Sequence, residues 1–70
     1  MKMEKTSVNA IATAKRNLYK YDTIDAIADV VYKYNLRIDD EVPVLVEAVN
    51  NFANEHYFKT VSLEAVKRYI

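Results

Sequence analysis

The 70-residue chain has no cysteine, no glycine and only one proline, Pro43. The lack of cysteine excludes a disulfide framework and a thiolate metal site. The lack of glycine excludes a glycine-rich phosphate loop. No apolar run approaches the ~20 residues that a membrane-spanning helix needs. Ten acids balance ten bases, so neither sign is in excess. The opening Met1-Lys2-Met3-Glu4-Lys5 is polar and lacks the apolar stretch of a secretory signal. The expectation is a cytoplasmic protein with no membrane partner.

Hydrophobic residues make up 51% of the chain, enough for a core and too many for a disordered segment. The length sets one small domain over 1–70, with residues 1–6 expected to be flexible. A core this small rarely supplies more than ~3–5 kcal/mol net. A protein partner or self-association is therefore expected to cover part of the apolar surface.

Apolar residues recur at helical spacing. A first helix is predicted from Ser7 to Tyr19, capped by Thr6 or Ser7, with Val8, Ile11, Ala12, Lys15, Leu18 and Tyr19 on one stripe. Asp22 is placed to cap a second helix, with Ile24, Ile27, Ala28, Val31 and Tyr34 buried. Asn35 ends it, since no glycine is present to turn left-handed. Leu36-Arg37-Ile38 reads as an extended connector. Asp39 or Asp40 then caps a third helix with Pro43 in its first turn and a stripe of Val42, Leu45, Val46, Val49, Phe52, Ala53 and His56. Ser62 caps a short fourth helix that buries Leu63, Val66 and Ile70, with Val61 against Val66 as a hydrophobic staple. The fold class expected is all-α, a small bundle of three helices plus a short C-terminal helix.

Residues that carry chemistry are sparse. The lone histidine, His56, has no cysteine to pair with, and nothing in the sequence brings Ser7 or Ser62 beside it. It reads as a half-buried residue near a helix end. Asp39-Asp40-Glu41 lacks the alternating ligands and central glycine of a calcium loop, and reads as helix capping. No catalytic residue, metal or cofactor is expected, and the chain is read as a non-enzyme.

Net neutrality hides segregation. Residues 1–21 hold five bases against Glu4, residues 22–55 hold eight acids against Lys33 and Arg37, and residues 56–70 hold three bases against Glu64. On the second helix Asp22, Asp25 and Asp29 follow at i, i+3 and i+7. They share one stripe, where like charges repel by a few tenths of a kcal/mol per pair. A basic partner would relieve that repulsion. The same acids disfavour a DNA-recognition role for this helix. Lys15, Arg16 and Lys20 are the candidates for lying near nucleic acid.

Six tyrosines and two phenylalanines gather near helix ends, as Tyr19 with Tyr21, Tyr32 with Tyr34, and Tyr57 with Phe58. Core edges account for most of them, and the surplus suggests an interface. A base-stacking platform is a third reading.

The order Thr23-Ile24-Asp25, Val30, Lys33 and Asp39-Asp40-Glu41 resembles the Hha/YmoA family. Lys15-Arg16-Asn17-Leu18 stands where that family has a basic first helix, and the tail Val61 to Ile70 is similar to its closing segment. In the third helix Ala48 and Glu55 match the family pattern, while Asn50 replaces an aspartate. Lys67 stands where a tryptophan is usual. The resemblance implies a small nucleoid-associated co-regulator that binds an H-NS-type protein through acids and touches DNA indirectly. Asp25, Asp40 and Glu41 are the matching acids, and Asp22 and Asp29 extend the same negative flank. Pro43 to Val49, with Glu55-His56, is similar to part of the theta subunit of bacterial DNA polymerase III. That similarity implies an accessory subunit for a proofreading exonuclease. A phage- or plasmid-encoded inhibitor of a host protein is a further alternative.

Overall fold

The computed structural model describes residues 5–70, with side chains from Val8 onward. The segment expected to be flexible falls partly outside these residues, and Lys5 and Thr6 already belong to the first helix. Four helices follow in order, α1 (Lys5–Asn17), α2 (Thr23–Lys33), α3 (Glu41–Glu55) and α4 (Leu63–Tyr69). No strand occurs among the described residues. The all-α class and the short closing helix agree with the expectation. The helices share one core, whose largest fully buried side chains are Ile27, Val30, Val42, Leu45, Val49 and Val66.

α1 departs from its expected orientation. Thr6 and Ser7 both lie inside the helix, so neither is its cap. Its buried face is Ala10, Ala14 and Asn17, continued by Leu18, whereas Val8 is 51% exposed and Ala12 and Tyr19 are exposed. The helix is turned by roughly one residue's rotation, ~100°, from the stripe that hydropathy favours. The reason is steric. Ala10 and Ala14 are fully buried and let α1 approach α2 and α3 closely, which Val8 and Ile11 in those places would prevent. Asn17 then bonds across to α2, its Nδ2 donating to the Ala26 carbonyl at 3.3 Å and to Asp29 Oδ2 at 3.0 Å. Thr13 and Tyr34 share a second hydroxyl bond between the two helices at 2.9 Å.

Asp22 and Asp40 occupy the expected N-cap positions of α2 and α3, yet neither makes a side-chain cap bond. Asp40 instead takes Arg37 Nε at 3.1 Å and an Arg37 guanidinium N–H at 2.8 Å. Glu41 accepts the Arg37 backbone N–H at 2.7 Å. The connector thus curls into a turn before α3 rather than staying extended throughout. Ser62 does cap α4, accepting from the Ala65 N–H at 3.1 Å.

Two helices end in left-handed residues without glycine. Asn35 (φ 53°) follows α2, and Tyr57 (φ 63°) follows α3. In each case the next amide reaches back five residues, Leu36 to the Val31 carbonyl at 3.0 Å and Phe58 to the Ala53 carbonyl at 2.8 Å. Both bonds are of the Schellman type that closes a helix C-terminus. Asparagine tolerates this backbone, but tyrosine suffers the contact between Cβ and carbonyl that glycine avoids.

The segment after α3 is pinned from two sides. Asn50 Nδ2 donates to the Val61 carbonyl at 2.7 Å, and its Oδ1 accepts the Val61 N–H at 3.0 Å. Thr23, buried at the start of α2, donates to the Lys59 carbonyl at 2.5 Å. These bonds deliver α4, seven residues long, to the core, where Val66 is fully buried. A helix of that length has no stability of its own.

Two measurements test this account. Asn50→Asp keeps the acceptor and removes the donor, leaving a carboxylate against the Val61 carbonyl. Thermal melts should show a loss of ~1–3 kcal/mol, and an unchanged melting temperature would contradict the clamp. Tyr57→Gly removes left-handed strain from a side chain that is 97% exposed and has little burial to lose. After allowance for the looser unfolded chain, it should gain about 0.5–1 kcal/mol. That corresponds to a rise of a few degrees, ~2–8 °C.

Candidate functional site

The acids expected to form a negative flank are placed mainly along α2. Asp22 is exposed at its N-cap, and Asp25 and Asp29 are half-buried on successive turns. The stripe is partly satisfied within the fold. Asp25 accepts a hydrogen bond from the Tyr69 hydroxyl of α4. Asp29 takes Asn17 and pairs with Lys33 at 3.5 Å, an i,i+4 contact. Internal donors therefore already offset the repulsion that a basic partner was expected to relieve.

Asp40 and Glu41 are separate from this row. They stand where α3 begins and are held by Arg37, in an exposed pair with 2.8 Å between Asp40 Oδ2 and the guanidinium. Asp22 and Asp25 are thus brought to one place, together with Tyr69. Asp40 and Glu41 form a second, distinct acidic corner.

Sequence reasoning missed Tyr69. Its phenol is 44 residues from Asp25 in the chain, and no periodic signal links them. The bond to Asp25 and that carboxylate's charge hold the Tyr69 phenol above its ordinary pKa of 10.0, with a further contribution from Asp22. Tyr69 and Tyr32 are 54% and 69% exposed. Beside them lies a shallow hollow of about 340 Å³ lined by Val31, Tyr32, Asn35, Leu36, Ile38 and Ile70. Ile38 is 45% exposed there. The hollow has an apolar floor and one tyrosine wall, Tyr32, and the carboxylates stand farther back along the same helix.

The basic residues belong to a different region. Lys15 is half-buried with its ammonium 5.4 Å from the centre of the Phe52 ring. Arg16 is exposed and donates to Thr13 Oγ1 at 3.3 Å, and Lys20 is exposed just beyond α1. His56, expected to be half-buried, is exposed at the C-cap of α3. Its ring stacks on Phe52 at 4.0 Å, and its Nδ1 lies 3.0 Å from the Phe52 carbonyl. Among the described residues no group of three His, Asp or Glu side chains is placed to hold a metal ion. No helix among them is long and apolar enough to cross a membrane.

Tyr69 makes the α2–α4 contact sensitive to alkali. A phenol whose folded pKa is raised above its unfolded value contributes stability that is complete below the unfolded pKa, near 10, and lost as pH rises through the folded one. Melts across that window should show wild type losing stability with pH faster than Tyr69→Phe. Parallel curves would mean that the hydroxyl does not engage Asp25.

Compared with known proteins, the chain matches no family model, no curated protein and no solved structure.

Proposed function

We propose that the chain is a non-enzymatic interaction module that docks on a protein with a basic surface. The docking face is the one shared by α2 and α4. One observation carries this reading. Tyr32 and Ile38 are substantially exposed on a hollow at the C-terminal end of α2 that Ile70 also lines, and the neighbouring Tyr69 is exposed and bonded to Asp25 in the first turn of the same helix, next to Asp22. Tyrosines with a wet hydroxyl and an apolar ring suit the centre of such a contact. The acids steer a positive partner and fix its orientation.

The resemblance to Hha-like proteins makes the reading concrete as a co-regulator of gene expression acting on an H-NS-type nucleoid protein. Asp25 is the matching acid within the docking face, and Asp40 and Glu41 offer a second point of contact. Asn50 stands at a family acid position but is occupied by Val61. Partner affinity therefore rests on the α2 acids. Lys15, Arg16 and Lys20 would lie toward DNA, which the complex touches indirectly.

Pull-down of an H-NS-type protein tests the proposal. Asp22→Lys reverses an exposed charge and should leave helicity unchanged by circular dichroism. It should weaken capture by roughly tenfold at low salt, with the difference shrinking as salt screens the contact. Asp25→Lys should act in the same direction while also removing the Tyr69 bond. Failure of the wild-type chain to bind in low salt would refute the assignment. Co-purification with a polymerase exonuclease subunit instead would favour the theta-like alternative.

A further inference from the structure

A second surface is built from rings and cations. Lys15 lies over Phe52, and Phe52 stacks on His56 with 19° between the planes. One turn beyond Lys15, Tyr19 is 65% exposed and meets the Phe58 ring edge-on at 5.1 Å. A row of side chains thus runs along the α1–α3 seam and onto the loop after α3. Tyr57 stands between His56 and Phe58 in the chain and is 97% exposed, on a backbone (φ 63°) that glycine would adopt without strain. Neither burial nor backbone preference explains a tyrosine there.

The charge around these rings is mainly positive, with one acid at each border, Asp22 after Tyr21 and Glu55 before His56. Residues 15–21 and 56–60 carry Lys15, Arg16, Lys20 and Lys59 and no acid. The middle of the chain carries the opposite excess, so this concentration of bases is local. The contact of Tyr19 with Phe58 brings the two basic segments together.

We propose that this strip binds single-stranded nucleic acid. Lysine and arginine would track the phosphates, and Tyr57 and Tyr19 would stack on unpaired bases, whose faces every nucleotide offers. A duplex keeps those faces covered. An acidic peptide would satisfy the cations but leave the exposed rings without a role. Recognition would tolerate many sequences, because stacking and backbone charge carry little base information. The inference goes beyond docking on a protein, since the isolated chain suffices for it.

Fluorescence anisotropy of a labelled short oligothymidylate with the full chain tests this. Binding should be present at low salt and weaken as salt rises. Lys20→Glu and Lys59→Glu should each flatten that salt dependence. Tyr19→Ala and Tyr57→Gly should each weaken binding by about fivefold or more. Tyr57→Gly is the sharper variant, because it is expected to melt at a higher temperature while binding worse, which unfolding cannot mimic. Equal affinity for a duplex of the same length or for an oligoglutamate would overturn the proposal. So would affinity unchanged in both tyrosine variants, or no binding at low salt. Asp22→Lys, on the α2–α4 face, should not weaken this binding, which separates the outcome from that of the protein-docking reading.

Discussion

The placement of α4 depends on one amide side chain. Asn50 meets both backbone groups of Val61, as a neighbouring strand would, and so fixes where the chain leaves α3 and where the last helix begins. Thr23 holds the same segment from the α2 side through Lys59. Val66 can then enter the core, and Tyr69 arrives beside Asp25. The tyrosine-and-acid face is a product of that clamp as much as of the helices that display it. An aspartate at position 50 would supply half of the required bonding, which gives the asparagine a structural reason independent of any partner.

The molecule separates its two chemistries. The acids lie along α2 with Tyr69 of α4 beside them, while Lys15 and the stacked rings lie where α1 meets α3, and α4 itself adds Lys67 and Arg68 against Glu64. A balanced total charge is therefore compatible with two surfaces of opposite character. The internal bonds of Asp25 and Asp29 restrain the acidic side without neutralising Asp22. Pre-positioned carboxylates lose less freedom on meeting a partner than mobile ones would.

Much of the architecture was legible in the residues. The period of apolar positions located α2 and α3 closely, Ser62 announced α4, and the absence of glycine singled out Asn35 as a left-handed terminus. The orientation of α1 was not legible. Hydropathy weights valine and isoleucine above alanine, while close helix approach selects Ala10 and Ala14. The capping roles of Asp22 and Asp40 were only half right, because an acid in the right position has other donors to choose from, as Arg37 shows. Of the candidate docking face, the α2 acids and the surplus of tyrosines could be read. The meeting of Asp25 with Tyr69 and the hollow that Ile70 closes against Tyr32 and Ile38 could not, because contacts across so many residues leave no local pattern.

The missing glycine also acts away from the folded state. Each glycine in a chain widens the range of shapes available before folding, and ordering it is correspondingly unfavourable. A chain without any begins from a narrower conformational ensemble, so less disorder is surrendered per residue on collapse. The crowded backbone at Tyr57 is the local counterpart of that advantage, which matters most for a domain whose small core leaves a slim margin.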